Sequence, residues 1–151
     1  MFTLVRQRDA KDCGPSCLAM IVKHYGGSFN INSIRTDCAL NREGVSLLGI
    51  SKAAEELGFK SVGGRLSFSS LASEVLLPCI VHWSQNHFVV VYKVKNQKKG
   101  DCTIYVADPG KGLVSYTKED FCEHWVSTKT NGEEKGIAVS YTHLRAHETR
   151  S

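Results

Sequence analysis

Proline is scarce in this chain, with 3 in 151 residues, and there are only two methionines and two tryptophans. So little proline excludes a collagen-like or polyproline chain. No apolar run approaches the ~18–20 residues that cross a bilayer, so no spanning helix is expected. The opening Met1-Phe2-Thr3-Leu4-Val5-Arg6-Gln7 is too short for the apolar stretch of a secretory signal. There is no Cys-x-x-Cys pair to complete a zinc site. There is also no Gly-x-x-x-x-Gly-Lys-[Ser/Thr] loop to cradle a nucleotide, so ATP hydrolysis is not expected of this chain by itself. What is present is 42% hydrophobic and 23% charged residues over 151 positions, the proportions of one soluble globular domain. A chain of this size buries about 68–70% of its unfolded surface, enough for a core without staples.

Charge and cysteine narrow the field further. The formal net charge is +4, and the densest basic stretch, Lys93, Lys95, Lys98 and Lys99, is expected to be a solvated turn rather than a nucleic-acid face. Six cysteines (Cys13, Cys17, Cys38, Cys79, Cys102 and Cys122) are many for this length. Without an export signal they are expected as reduced thiols, most of them small buried apolar residues. The single His-x-x-x-His pair, His143 and His147, lies in a polar C-terminal stretch, so neither a metal nor another cofactor is expected. That stretch, 140–151, has no clear apolar period and looks like translated sequencing-adapter DNA. It is expected to be a non-native tail outside the fold, with the domain occupying 1–139.

Periodicity organises the remainder. Pro15–Tyr25 is predicted as a helix stopped by Gly26-Gly27, and Ser46–Leu57 as another, capped by Ser46 and ended by Gly58. A short helix is expected within Asn32–Leu40 and one more after Thr117. Cys79–Trp83, His87–Val94 and Cys102–Asp108 are rich in Val, Ile and Tyr and read as strands. Helices first and antiparallel strands afterwards predict an α+β domain.

Chemistry points to Asp12-Cys13-Gly14-Pro15-Ser16-Cys17. Proline favours the first turn of a helix, which puts Cys13 at or just before an N-terminus, where free N–H groups and the helix dipole favour a thiolate. Two buried helical cysteines remain the alternative at this stage. A nucleophilic thiol needs a base. His82 and His87 flank a turn between two strands, whereas His24 sits near a helix C-terminus, where a cation is welcome for ordinary reasons, and His124 lies in the polar C-terminal region. If the 87–94 and 102–108 strands pair about the middle of the intervening loop, His87 and Asp108 are direct partners on one face. A carboxylate there holds an imidazole and stabilises its cation. Asp108 also precedes Pro109-Gly110 and serves equally as a turn residue. Gln7, six residues before Cys13, carries a side-chain amide able to donate to an oxyanion.

The segment Gln7 to Ile21 with its Asp12-Cys13-Gly14 triplet, the strand start Asn86-His87-Phe88 and the Ala107-Asp108-Pro109 turn resemble the bacteriocin-processing cysteine peptidase family over roughly residues 3–139. The resemblance implies a papain-like fold, with N-terminal helices packed on a C-terminal antiparallel sheet. It implies Cys13 as nucleophile, His87 as base and acid, Asp108 as orienting residue and Gln7 as oxyanion donor. The implied activity is cleavage of a precursor peptide's leader after a Gly-Gly pair. The implied partners are that precursor and the transmembrane and ATPase domains of an ABC transporter absent from this chain. That places the domain in the cytoplasm, at the inner face of the cell membrane. The other function carried by the resemblance is a non-catalytic domain that docks precursors for an exporter.

Overall fold

The computed structural model describes residues 2–8, 12–28, 30–38, 47–84, 87–96 and 100–143, apart from the side chains of Asp37 and Thr130. Three helices come first: α1 (Cys13–His24), α2 (Ile31–Asp37) and α3 (Leu47–Glu56). They are followed by β1 (Phe59–Ser67), the short α4 (Phe68–Ser73), β2 (Cys79–Trp83), β3 (His87–Asn96), β4 (Cys102–Asp108) and β5 (Gly112–Thr117). Then come α5 (Lys118–Trp125), β6 (Val126–Thr130) and β7 (Glu133–His143). All the strand pairings are antiparallel, and the sheet order is β1-β7-β2-β3-β4-β5, with β6 alongside β7.

The central strands read as unbroken apolar runs because both their faces are covered. On one face Ile80, Phe88, Val90, Ala107, Val139 and Tyr141 pack under α1, α2 and α3. On the other, Cys79, Val81, Trp83, Val89, Val91, Ile104 and Val106 pack under Leu71 of α4 and Phe121 and Trp125 of α5. The second layer adds to the expected order of helices first and strands afterwards: α5 is the helix expected after Thr117, whereas α4, between β1 and β2, was not expected, and together they close the far side of the sheet. The short apolar segment of α4, which begins at the cap Ser67, carries too few turns for a clear helical period. Trp125 fixes α5 against β7: its indole Nε1–H donates to the Ile137 carbonyl at 3.0 Å, and a Cβ at Gly136 would collide with its ring.

The α+β class and the three predicted strands hold, β3 running two residues further than expected. The boundary expected at 139 does not hold as a limit of the fold. β7 continues through His143, pairing Ser140–His143 with Phe59–Val62 of β1, and Tyr141 is fully buried. A polar, aperiodic sequence gave no sign of that because one side of it faces solvent. Ser46, Gln85, Asn86, Lys98, Lys99 and residues 144–151 lie outside the described residues. All six cysteines are free thiols.

Candidate active site

The site forms where three chain ends meet: the first residue of α1, the first of β3 and the last of β4. Cys13 opens α1 and is almost fully buried, while Cys17, one turn further in, is completely so. Asp12 precedes it at the N-cap but makes no side-chain capping bond. Instead its buried carboxylate accepts from Arg35 Nε of α2 at 2.7 Å. The guanidinium pairs with a carboxylate next to the Cys13 backbone and ties α2 to the head of α1. Loss of Arg35 would leave a buried charge without compensation. Burial pushes the Cys17 thiol far up, reinforced by the negative charge of Cys13 and Asp108, so Cys17 packs and does not react. Burial also pushes Cys79 up to about 12.

His87 and Asp108 are brought together by a bulge. Near the β3–β4 turn Val94 faces Ile104 and Lys95 faces Thr103, but beyond Tyr92 the register moves by one, with Val91 opposite Val106 and Val90 opposite Ala107. Without that extra residue Asp108 would stand opposite Val90, on the face away from His87, because a one-residue slip exchanges faces. With it, Asp108 comes level with Val89 and shares the face of His87 as a diagonal neighbour. The direct pairing expected from the sequence is therefore corrected by two positions, and the shared face survives because two is the period of a strand. Diagonal neighbours remain within reach of long side chains, and His87 Nε2 meets Asp108 Oδ1 at 2.8 Å.

Asp108 combines its two expected roles. Its Oδ1 also accepts the Gly110 N–H at 2.8 Å, and its carbonyl accepts the Lys111 N–H at 3.0 Å, a tight turn with Pro109 at its favoured second position. Burial alone would raise the Asp108 carboxyl, but the bonds from His87 and Gly110 and the cations of His87 and Lys111 hold it below its usual range. His87 is the counterpart. Burial would lower it, yet hydrogen bonds to Asp108 and Cys13, with their negative charges, raise it to about 9. With Nε2 committed to Asp108, Nδ1 is the nitrogen left for Cys13.

Gln7 is held by the same turn. Its backbone N–H donates to the Pro109 carbonyl at 3.0 Å. Gly110 leaves room for both side chains: a Cβ there would stand 3.5 Å from Gln7 Oε1 and 3.4 Å from Asp108 Oδ1. The four residues singled out in the sequence thus gather at one place. His82 does not join them. It pairs with Phe88 across β2 and β3 and packs its ring on that side chain at 5.3 Å, on the opposite face of β2 from Trp83. With Gln7 in the expected role of oxyanion donor, Gln7→Ala is expected to lower kcat by about 10²–10³, with the melting temperature little changed. Steady-state kinetics beside a thermal melt checks this.

Beside His87 lies a cleft of about 570 Å³, lined by Gln7, Trp83, Ser84, His87, Asp108, Gly110, Lys111 and His124. Trp83 faces His87 across β2 and β3. His124 of α5 stacks on its indole at 5.0 Å, with an interplanar angle of 12°, and Ser84 Oγ lies 3.3 Å from His124 Nδ1. Sequence reading gave Trp83, Ser84, Lys111 and Arg35 no part in the site and weighed His124 only to set it aside as a base. The one available signal was Trp83, a large aromatic at a strand end, and nothing local placed α5 over it.

A buried thiol at a helix N-terminus, facing an imidazole that a carboxylate holds across a sheet with helices on both faces, defines a cysteine peptidase of papain-like α+β fold. Residues 1–130 match the peptidase C39 family, and the chain belongs to that family. It is 36% identical over 130 residues to the lactococcin-G-processing and transport ATP-binding protein LagD of Lactococcus lactis subsp. lactis, covering 83% of this chain and 18% of that protein. It is 32% identical over 123 residues to the colicin V secretion/processing ATP-binding protein CvaB of Escherichia coli, covering 81% of this chain and 17% of that one. It is similar to the solved structure of a double glycine motif protease from an AMS/PCAT transporter in complex with the leader peptide, with a TM-score of 0.79, 30% identity and coverage of 94% and 91%. The peptidase domain of Streptococcus ComA superposes with a TM-score of 0.77 and 28% identity, covering 95% of this chain and all of that one. The chain spans a fifth or less of the length of these curated relatives, and no helix among its described residues is long and apolar enough to cross a membrane.

Proposed function

We propose that this chain removes the leader of a bacteriocin-like precursor peptide by cutting after a Gly-Gly pair, as the cytoplasmic N-terminal peptidase domain of an ABC exporter at the inner face of the cell membrane. The observation that carries this reading is the 2.8 Å bond between His87 and Asp108 beside a thiol at the head of α1. The similarity to a double glycine motif protease supports the choice of substrate.

The reaction is acyl transfer. His87 holds the proton of Cys13, and the thiolate attacks the carbonyl of the second glycine. Gln7 and the Cys13 N–H stabilise the oxyanion. As the tetrahedral intermediate collapses, the imidazolium gives its proton to the leaving amine, which departs as the N-terminus of the cargo. The leader remains on Cys13 as a thioester. Water, deprotonated by His87, then releases the leader carboxylate and restores the thiol. Asp108 keeps Nε2 occupied throughout, so Nδ1 stays aimed at sulfur.

The test is incubation of the 151-residue chain with a synthetic precursor whose leader ends in Gly-Gly, with products weighed by mass spectrometry. A leader ending at the second glycine and an intact cargo are expected, and Cys13→Ala should bind the precursor without cutting it. Cleavage that survives Cys13→Ala would remove the thiol from the mechanism. Binding without cleavage by the unaltered chain would make this a docking domain.

A further inference from the structure

The mechanism fixes which side of the site receives the departing half of the substrate. The leaving amine takes its proton from His87, so the chain beyond the broken bond passes over the imidazole, away from the head of α1. The cleft on that side is walled by Trp83, Ser84, Lys111 and His124, and its polar groups are unequal in sign. Lys111 is exposed and close enough to Asp108 to favour its charge. Arg6 stands just behind, its Nη2 3.3 Å from where a Cβ on Gly112 would lie. His124 sits in the last turn of α5, where the carbonyl end of a helix accommodates a cation. With its Nδ1 beside Ser84, Nε2 is the nitrogen left for a ligand. Among the described residues, the single carboxylate in the lining, Asp108, has its Oδ1 taken by His87 and Gly110. Asp120, one turn earlier on α5, lies near Tyr116 and does not line the cleft.

From this we infer that the cleft is a subsite for the cargo side of the scissile bond, and that it takes a segment bearing an acidic side chain within its first residues, held by Lys111 and His124. The inference rests on the proposed peptidase reading and adds to it the chemistry of the cargo's N-terminus. A Gly-Gly pair has no side chains to grip, so a preference beyond the bond contributes selectivity that the leader's last two residues cannot. The charges are solvent-facing, so the preference is moderate and weakens with salt.

Three precursors with one leader, one Gly-Gly pair and Asp, Asn or Lys as the second cargo residue test this with the 151-residue chain. The expected order of kcat/KM is Asp, then Asn, then Lys, with Asp ahead of Lys by about threefold to tenfold, the size of an exposed attraction and the matching repulsion together. The ratio should shrink between about 0.05 M and about 0.5 M salt. In Lys111→Gln and in Lys111→Gln with His124→Gln, the Asp-to-Lys ratio should fall stepwise toward one. A ratio is compared within each variant, so a general loss of activity does not affect it. Equal kcat/KM for all three peptides in the unaltered chain would overturn the subsite while leaving the peptidase in place. A preference that persists unchanged in the variants would also overturn it. No cleavage of any peptide would instead count against the peptidase reading itself.

Discussion

His87→Ala is expected to lower kcat/KM by roughly 10⁴–10⁶-fold, the largest effect of any single substitution apart from loss of Cys13 itself. In the proposed mechanism the imidazole both takes the thiol proton and gives it to the leaving amine, and no water molecule takes over both tasks at one position. The same change should slow alkylation of Cys13 by iodoacetamide at neutral pH, because the thiolate loses the cation that faces it. Cys17 serves as the internal reference: it is fully buried and its thiol is pushed far up, so it should stay unmodified in both proteins. Peptide mapping after alkylation reads both positions at once. Cys13 reacting at the same rate with and without His87 would mean that the two side chains do not form a pair.

The second large effect is expected at Asp108, where two substitutions separate orientation from charge. Asp108→Ala removes the acceptor of His87 Nε2 and of the Gly110 N–H, freeing the ring and loosening the turn that carries Gln7. A loss of about 10²–10⁴ in kcat/KM should follow. Asp108→Asn keeps a carbonyl oxygen for both bonds and should retain far more activity, since papain-like sites also work with asparagine in this role. What it loses is the negative charge. In the unaltered protein His87 is raised to about 9, so the imidazolium persists through neutral pH and is lost as pH climbs through about 9. The rate should fall along that limb. In Asp108→Asn the limb should move down toward the ordinary histidine value of about 6.5. The contribution of this raised group to folding has the same sign: fully present below about 6.5, and lost as pH rises through about 9. A pH–rate profile of both proteins checks the shift, and coincident alkaline limbs would show that the carboxylate's charge does not govern His87.

Much of the site was legible because its signals are local or nearly so. Pro15 marks the first turn of α1, which places Cys13 at its head. The Asp-Pro-Gly turn announces a chain reversal, and β2 and β4 begin and end where their apolar runs do. The partnership of His87 with Asp108 was legible as a shared face but not as a register, because nothing in Val91-Tyr92-Lys93 signals a bulge. Arg35 and Asp12 are 23 positions apart, on segments with no common period. The start of α5 after Thr117 was legible, whereas α4 and β7 carry weak patterns because each buries only part of its surface.

The sequence by itself determined the chemistry available to this protein. It supplies one thiol at a helix start, a histidine at the start of a strand, an aspartate fixed by a proline turn, and a glutamine upstream of all three. Those depend on side-chain identity and on bonds within a few residues of chain. Only the tertiary structure decided how they meet. The bulge at Tyr92 gives His87 and Asp108 one face. The Gln7–Pro109 bond brings the N-terminal segment to the β4–β5 turn. α5 lays His124 over Trp83 to wall the cleft. The physical reason is that these contacts join residues far apart in the chain, and their geometry is set by packing on both faces of the sheet at once, which no local window of sequence contains.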